Sequence, residues 1–173
     1  RMAQEAARTC CGCGQLYSYN LKGTICDYCS HELWLDDISL QAKNLFIYWM
    51  EHKDEFAVLD VETTGLDDNS EIVEVAVVGL DEEVLYHSLI RPDRSIPIEA
   101  TAVHGITDEM VANAPTWLEV WPYVRLIFST RKALIFNEAF DLRMIYSACR
   151  RNNLLPFEKI QSECVMEAYA RYS

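Results

Sequence analysis

Two acidic side chains at the end of an apolar stretch are the residues best suited to chemistry. Residues 56–59 are apolar and lead directly into Asp60, and Glu62 follows two positions later. A short apolar run that ends at a turn signal, here the Thr-Thr-Gly of residues 63–65, predicts a buried central strand. Side chains alternate across a strand, so Asp60 and Glu62 should project from the same face.

Two carboxylates side by side at a strand end repel each other and are costly to remove from water. A divalent cation between Asp60 and Glu62 would remove that cost, and ligands that are all oxygen favour a hard ion such as Mg²⁺ or Mn²⁺. An isolated Asp-x-Glu is more often an ordinary pair of solvated acids. The Thr-Thr-Gly that follows and the motifs further along the chain favour the metal interpretation here.

Four cysteines near the amino terminus form a second candidate site. They make two Cys-x-x-Cys pairs separated by twelve residues: Cys10, Cys13, Cys26 and Cys29. This spacing is typical of a tetrahedral zinc site built from four thiolates. The segment is too small and polar for a core of its own, so bound Zn²⁺ would supply its folding energy. Reduced cysteines without metal and a redox-active pair are the alternatives.

The size of the chain, 173 residues and 19.9 kDa, allows one full core and a small appendage. Half of the residues are apolar, yet no apolar stretch is long enough to span a membrane. The first eight residues lack the apolar segment of a signal peptide. We therefore expect a cytoplasmic protein whose seven cysteines are reduced or bound to metal.

The net charge of −12 is distributed unevenly along the chain. Residues 1–54 carry −2, residues 55–124 carry −13 and residues 125–173 carry +3. A protein this acidic does not bind duplex nucleic acid tightly by charge alone. It can still process a strand whose phosphates contact bound metal and a local group of basic residues. The alternative, that the acids serve only solubility, accounts for the total charge but not for its distribution.

The hydrophobic pattern predicts an antiparallel meander followed by strand–helix units, with a helix in residues 32–53 leading into the first strand. The later predictions are strands at 71–79 and 84–91, a helix from Asp108, a helix at 117–128 that is kinked at or begins at Pro122, a strand at 133–136, a helix at 139–151, a strand at 160–164 and a helix from Val165. This order places Asp141 in the first turn of a helix that follows a strand. It would then lie at the carboxyl edge of the sheet, beside Asp60 if the two strands are neighbours.

Three motifs in the right order resemble the DEDD superfamily of 3′–5′ exonucleases. They are residues 56–66, His104-Gly105-Ile106-Thr107 and residues 136–141 (Phe-Asn-Glu-Ala-Phe-Asp), and the resemblance covers about residues 55–172. It points to the DnaQ-like branch typified by the epsilon subunit of bacterial replicative polymerase, in its His-x4-Asp form. The resemblance implies an α/β, ribonuclease-H-like fold with a mixed five-stranded sheet flanked by helices.

The resemblance also implies how the acids act in a two-metal mechanism. Asp60 would bridge both ions, Glu62 would help to hold the first, and Asp141 would support the second through water. The residues implied to bind the 3′ end of single-stranded DNA or RNA are Thr63, Gly65, Leu66, His104, Asn137 and Phe140. Judged by residue type alone, Phe140 is more often part of the core.

The sequence departs from this family at its last motif. No histidine follows His104 and no aspartate follows Asp141, so neither His-x4-Asp nor Tyr-x3-Asp is completed. Either the chain is a fragment of a longer enzyme or the protein as given is inactive, and the ending within a helical pattern favours a fragment. We therefore expect three parts: a zinc ribbon at 1–34, a linking helix at 35–54 and a C-terminally incomplete exonuclease domain at 55–173.

The expected activity is hydrolysis of phosphodiester bonds at nucleic-acid 3′ ends with Mg²⁺ or Mn²⁺. One alternative is a catalytically incomplete module on an exonuclease-like scaffold, which binds nucleic acid, or a polymerase or other protein partner, through the zinc ribbon. A second alternative is another ribonuclease-H-like nuclease, such as an endonuclease. The motifs at 104–106 and 137–141 argue against that second alternative.

Overall fold

The computed structural model describes residues 40–154 and 159–172, together with the backbone of two short strands nearer the amino terminus. Strand β1 (Arg8–Thr9) pairs antiparallel with strand β2 (Leu16–Tyr17). The cysteines predicted to bind zinc lie outside the described residues, so the zinc ribbon stays a prediction.

The main body of the protein begins with helix α1, described over residues 40–51, and a short 3-10 helix, Lys53–Glu55. The strands that follow are β3 (Phe56–Thr63), β4 (Ile72–Gly79), β5 (Val84–Leu89), β6 (Lys132–Ile135) and β7 (Ser162–Cys164). The helices are α2 (Ile98–His104), α3 (Asp108–Val111), α4 (Trp117–Ile127), α5 (Glu138–Arg151) and α6 (Val165–Tyr172). Among the described helices, none has the length and apolar character needed to cross a membrane.

These strands form one mixed sheet in the order β5-β4-β3-β6-β7, with β3 at its centre. The first three strands make an antiparallel meander, whereas β6 runs parallel to β3 and β7 runs parallel to β6. Parallel neighbours need a long crossover connection, and the helices between these strands supply it. The predicted mixed five-stranded sheet is confirmed.

The alternation of β3 sorts its side chains between the two faces of the sheet. Leu59 and Val61 point into the main core, which they share with Val124 of α4 and with Met144 and Ile145 of α5. These side chains are almost fully buried, and burying each contributes roughly 1.5–3 kcal/mol. The shared core holds α5 against the strand that carries the two acids.

The other face of the sheet is covered by helices α1 and α6. Trp49 of α1 and Ala168 of α6 form a second buried cluster with Phe56 and Leu134. The Trp49 indole N–H donates to Glu163 Oε2 at 2.8 Å, which ties α1 to strand β7. Helices therefore flank both faces of the sheet, as predicted.

Helix α4 begins at Trp117, so the alternative start at Pro122 is wrong. Thr116 precedes the helix, and its backbone N–H donates to Glu119 Oε2 at 2.7 Å. The Thr116 hydroxyl donates to the same oxygen at 2.8 Å. This capping interaction sets the helix start ahead of the proline, which lies inside the helix.

Candidate active site

Asp60 and Glu62 lie on one face of β3, near the end that leads into the turn after the strand. Asp60 is opposite Ala76 and Glu62 is opposite Glu74, both on β4. Asp60 is exposed and Glu62 is half-buried, while Val61 between them is buried in the main core. The two acids therefore share a face, as the alternation of the strand predicts.

Asp141 reaches the same end of β3 from helix α5. Strand β6 pairs with β3 only as far as Val58 opposite Leu134, and the chain then turns into α5. Beyond that point the Val61 N–H donates to Asp141 Oδ1 at 3.2 Å. Asp141 is buried, with 4% of its surface exposed. The hydrogen bond brings the third acid against the backbone segment that carries the other two.

Desolvation and repulsion from neighbouring acids raise the pKa values of all three acids. Burial raises the pKa of Asp141 to about 6, and the negative charge of Asp60 adds to this effect. Burial also raises the pKa of Glu62, and the charge of Asp60 is the second cause. Asp60 is exposed as a residue, but partial desolvation of its carboxylate raises its pKa, and the charge of Glu74 is the second cause. The site therefore concentrates negative charge that protons or a cation can neutralise.

Glu74 is an acid of this site that sequence reasoning missed. It lies opposite Glu62, and its charge raises the pKa of both Asp60 and Glu62. Its Oε1 lies 2.7 Å from Nε2 of His87 on the neighbouring strand β5. A signal was available, because Glu74 is the one charged residue within β4 and alternates with buried apolar neighbours.

The donor set of the site suits a hard divalent cation. Asp60, Glu62 and Asp141 offer only carboxylate oxygens, and their raised pKa values mean that a positive partner would stabilise the ionised groups. In residues 40–154 and 159–172, no three His, Cys, Asp or Glu side chains are arranged as a complete metal site. The acids fit Mg²⁺ or Mn²⁺ by their chemistry, and Mg²⁺ usually keeps several water ligands in proteins.

The turn after β3 is closed by short contacts. The Thr63 hydroxyl donates to the Gly65 carbonyl oxygen at 2.7 Å. A Cβ atom at Gly65 would lie 3.0 Å from Ser70 Oγ, so a larger residue would crowd the turn. Leu66 lies at the tip and is 78% exposed. Leu66 is therefore the predicted contact residue of this turn that is most accessible to a ligand.

Two arginines of helix α5 hold this turn in place, and sequence reasoning missed both. Arg143 donates to Asp68 Oδ1 at 2.7 Å and to the Leu66 carbonyl oxygen at 2.9 Å. Arg151 donates to the Ser70 carbonyl oxygen at 2.8 Å. The same helix thus positions both the third acid and the turn that follows the first two.

His104 approaches the acids from the end of helix α2. Its Nδ1 accepts a hydrogen bond from the Ile106 N–H at 3.0 Å, and Gly105 between them adopts a φ of +80°. A neutral imidazole whose Nδ1 accepts carries its proton on Nε2. That Nε2 is buried and has no hydrogen-bond partner within the described part of the chain. Electrostatic interaction with His104 acts to lower the pKa of Glu62, so the ring lies near that carboxylate.

The last two predicted contact residues, Asn137 and Phe140, differ in exposure. Asn137 is exposed at the position before α5. Phe140 is half-buried against the main core, and its ring centroid lies 5.7 Å from Cζ of Arg143. Phe140 thus belongs partly to the core, as expected from its residue type, and remains partly accessible.

This domain is similar to known proteins over most of its length. The family described as exonuclease (RNase_T) matches residues 57–171. The uncharacterized exonuclease CP81 of Escherichia phage 186 is 38% identical over 140 residues, which are 78% of this chain and 69% of the phage protein. The DNA polymerase III epsilon subunit of Rickettsia conorii is 33% identical over 94 residues, which are 51% of this chain and 41% of the subunit.

A solved structure shares the fold. Exonuclease I from Methylocaldum szegediense matches with a TM-score of 0.55 at 19% sequence identity, over 65% of this chain and 28% of that chain. The chain therefore spans less than half the length of exonuclease I and of the Rickettsia subunit. On the family match and the phage relative, the chain belongs to the exonuclease family.

Proposed function

We propose that this protein removes nucleotides from the 3′ ends of single-stranded DNA or RNA with Mg²⁺ or Mn²⁺ held by Asp60, Glu62 and Asp141. The observation that carries the proposal is the 3.2 Å hydrogen bond from the Val61 N–H to Asp141 Oδ1, because it brings acids from distant parts of the chain to one strand end. The family match supports the class of reaction.

A divalent cation bound there would activate a water molecule and stabilise the charge that develops on the leaving 3′ oxygen. The residues of the chain prepare the place for this chemistry. The Val61 N–H occupies one oxygen of Asp141 and so orients that carboxylate. His104 Nε2, buried without a partner among the described residues, can donate to a substrate oxygen near Glu62.

The remaining predicted contacts surround this corner of the sheet. Thr63 and Gly65 form the closed turn, and Leu66 exposes 78% of its surface at the tip. We propose that the terminal nucleotide lies against this turn, with Phe140 beneath its sugar or base. Asn137, exposed before α5, completes the proposed contact surface.

Replacement of Asp60 tests the site directly. We expect Asp60→Asn to abolish release of nucleotides from a 5′-labelled single strand and to weaken Mn²⁺ binding measured by calorimetry. Glu82→Gln is a matched control, because it removes one exposed acid in the turn between β4 and β5, away from the site. The control should keep both properties, and undiminished turnover in Asp60→Asn would remove the proposed site.

Two substrates separate this function from its alternatives. A circular single strand has no end, so an exonuclease leaves it intact and an endonuclease cuts it. A strand with a blocked 3′ end should resist hydrolysis if degradation starts from that end. A binding scaffold without catalysis would leave even a linear strand with a free 3′ end intact and would show no carboxylate-dependent Mn²⁺ binding.

We also propose that residues 1–34 form a zinc ribbon, joined by residues 35–54 to the exonuclease domain at 55–173. The support for the ribbon is the spacing of its four cysteines, and a polymerase or another protein is its proposed partner. Metal analysis should find zinc bound to the purified chain and lost from Cys26→Ser; a zinc-free wild-type chain would contradict the proposal. The similarity to an epsilon subunit supports placement in the His-x4-Asp branch.

A further inference from the structure

A cleft of about 430 Å³ opens at the end of the sheet opposite the acids. It lies between the last turn of α4, the start of β6 and residues 159–161, which lead into β7. Its apolar lining is formed by Trp121, Phe128 and Ile160, each with less than a tenth of its surface exposed. Well-buried lining residues of this kind give a preformed cavity, and its volume is in the range of small-ligand sites.

The cleft gathers positive charge in a protein that is strongly negative overall. Among the described residues of its lining, the basic ones are Arg125, Arg131, Lys132 and Lys159, and the carboxylate is that of Glu55. These cations come from α4, from the start of β6 and from the segment before β7, so folding rather than a local basic run brings them together. Concentrated charge of one sign in a concave site attracts ligands of the opposite sign.

Most of these cations are available to a ligand. Among the described residues, Arg125, Arg131 and Lys159 take part in no ion pair. Lys132 is engaged only loosely, with its Nζ 4.0 Å from Glu163 Oε1 and 5.5 Å from the centroid of the Phe56 ring. In the part of the chain that the structure describes, positive charge is thus held at the cleft without a matching set of acids.

Basic residues near a helix end often serve the helix itself, because they offset the negative end of its dipole. In α4, hydroxyl groups already bond the last carbonyls: Ser129 donates to the Leu126 oxygen at 2.6 Å and Thr130 donates to the Ile127 oxygen at 3.4 Å. Arg125 is the single basic residue in the last turn of α4. Helix capping therefore does not account for the cations contributed by β6 and residue 159.

The cleft is separate from the acid site. Phe56, at the start of β3, pairs with Lys132 of the cleft, whereas Glu62 lies six residues further along the same strand. At about 3.3 Å per residue the two ends are roughly 20 Å apart. The two sites can therefore hold opposite charges without neutralising each other, and each can be altered alone.

We propose that this cleft binds the phosphate group of a nucleotide, supplied either by an internal phosphodiester of a bound strand or by a free nucleotide. Guanidinium groups suit this ligand, because their fork of N–H donors matches phosphate oxygens, and a lysine adds a point charge. The identity of the phosphate source rests on the proposed nuclease function. The positive cleft itself does not depend on that function.

Binding without turnover tests the proposal. The protein carries Asp60→Asn in EDTA, and the probes are a fluorescent single-stranded oligonucleotide and a nucleoside monophosphate. We expect Arg125→Gln with Arg131→Gln to weaken binding of at least one probe about tenfold or more. For the oligonucleotide, the slope of log affinity against log salt should also fall by roughly 1.4, which corresponds to two phosphate contacts on a single strand.

The charge-matched control is Arg94→Gln with Arg150→Gln, which removes two exposed arginines outside the cleft. Loss of oligonucleotide affinity in the cleft variant alone supports the strand as phosphate source, and loss of monophosphate affinity alone supports a free nucleotide. Equal binding by the cleft variant and the control variant overturns the proposal. The proposal is also overturned if the cleft variant keeps its affinity for both probes but loses affinity for an acidic peptide. Thermal unfolding of both variants verifies that they are folded.

Cleavage by the protein with Asp60 intact is measured separately with Mn²⁺. Absence of cleavage there would count against the proposed function and leave the binding result standing. Normal cleavage together with unchanged binding in the cleft variant would overturn the phosphate site alone. The two proposals can therefore fail independently.

Discussion

The Asp141 carboxylate is the group of the candidate active site whose behaviour depends most on its surroundings. Only 4% of the residue is exposed, and one of its oxygens accepts the Val61 N–H. Burial and the charge of Asp60 raise its pKa to about 6, well above the 3.8 of an ordinary aspartate. In the absence of a cation, the ionised group therefore costs the folded protein stability at neutral pH.

We expect Asp141→Asn to stabilise the metal-free protein at neutral pH, because the amide oxygen still accepts the Val61 N–H and the buried charge is gone. Since the pKa of Asp141 is raised in the folded state, the native protein binds this proton more tightly than the unfolded chain does. The contribution of the group to stability therefore falls as pH rises from about 4 to about 6. Urea unfolding in EDTA should show a gain of roughly 2 kcal/mol at neutral pH.

The same variant provides its own control at low pH. Below about pH 3 the aspartate is largely protonated in both states, so the advantage of the amide should largely vanish. A gain of the same size at both pH values would assign the effect to packing rather than to the charge of Asp141. Exonuclease activity of the variant should be lost, since an amide is a poor substitute for a carboxylate at a metal site.

Metal affinity should depend on pH through the same carboxylate. A proton on Asp141 competes with the cation, so Mn²⁺ affinity should fall about tenfold for each pH unit below about 6 if one proton is displaced. Calorimetry between about pH 7.5 and about pH 5 measures this dependence. A flat profile in the wild-type protein would show that Asp141 does not hold the ion.

At the scale of elements, strand β3, the turn after it and helix α5 act as one unit. The main core joins β3 to α5, and Arg143 and Arg151 bond the turn to the helix from outside the core. Because α5 packs on the sheet by one face, its first turn can present a carboxylate to the site, and side chains further along the helix can hold the turn after β3 in place. The placement of the acids relative to the turn therefore depends on exposed arginines as well as on buried apolar contacts.

We expect Arg143→Ala with Arg151→Ala to loosen the turn at residues 64–71. The loss of these bonds should cost roughly 1–3 kcal/mol of stability and should raise KM for a single-stranded substrate, because the turn is proposed to line the terminal nucleotide. Hydrogen exchange of the turn amides and steady-state kinetics measure the two effects. Arg150→Ala is the matched control, since Arg150 is exposed on the same helix and holds none of the turn contacts.

At the scale of the whole molecule, one apolar core links the sheet to helices α4 and α5, and a thiol buried in it reports on the integrity of the fold. Cys149 is fully buried, and the Trp117 indole N–H donates to its Sγ at 3.4 Å. Burial raises the pKa of this thiol to about 11. Thiolate is the reactive form, so Cys149 should be inert while the core is closed.

We expect Cys149 to resist alkylation by iodoacetamide near pH 8 in the native protein and to react once the protein unfolds in urea. Peptide mapping by mass spectrometry distinguishes it from the other cysteines. Cys164 is only partly buried and provides the comparison within the described residues. Equal labelling of both thiols under native conditions would mean that the core opens readily around α5.

The charge of the molecule is also organised at this largest scale. Acids collect at one end of β3, and the cations of the cleft collect at the other. An acidic protein that acts on a nucleic acid must keep its own negative charge away from the phosphates that it contacts. Separation of the two signs along β3, with the divalent cations proposed for the acidic end, would satisfy that requirement.

Several features followed from the sequence because they depend on local periodicity. The alternation of β3 places Asp60 and Glu62 on one face, and the apolar runs with their turn residues mark the strands of the meander. The first turn of the helix after β6 holds Asp141, as the strand–helix pattern predicts. The start of α4 at Trp117 was less accessible, because Pro122 and the Thr116–Glu119 cap are competing local signals.

The tertiary structure alone decided which distant groups meet. The bond from Val61 to Asp141 joins residues 80 positions apart, and the bond from Arg143 to the Leu66 carbonyl joins residues 77 apart. No periodicity within a window of ten or fifteen residues encodes such distances, because they depend on which strands become neighbours and how a helix packs across them. For the same reason the electrostatic role of Glu74 and the cations of the cleft emerged only once the sheet was assembled, whereas the acids of β3 were evident in the order of the residues.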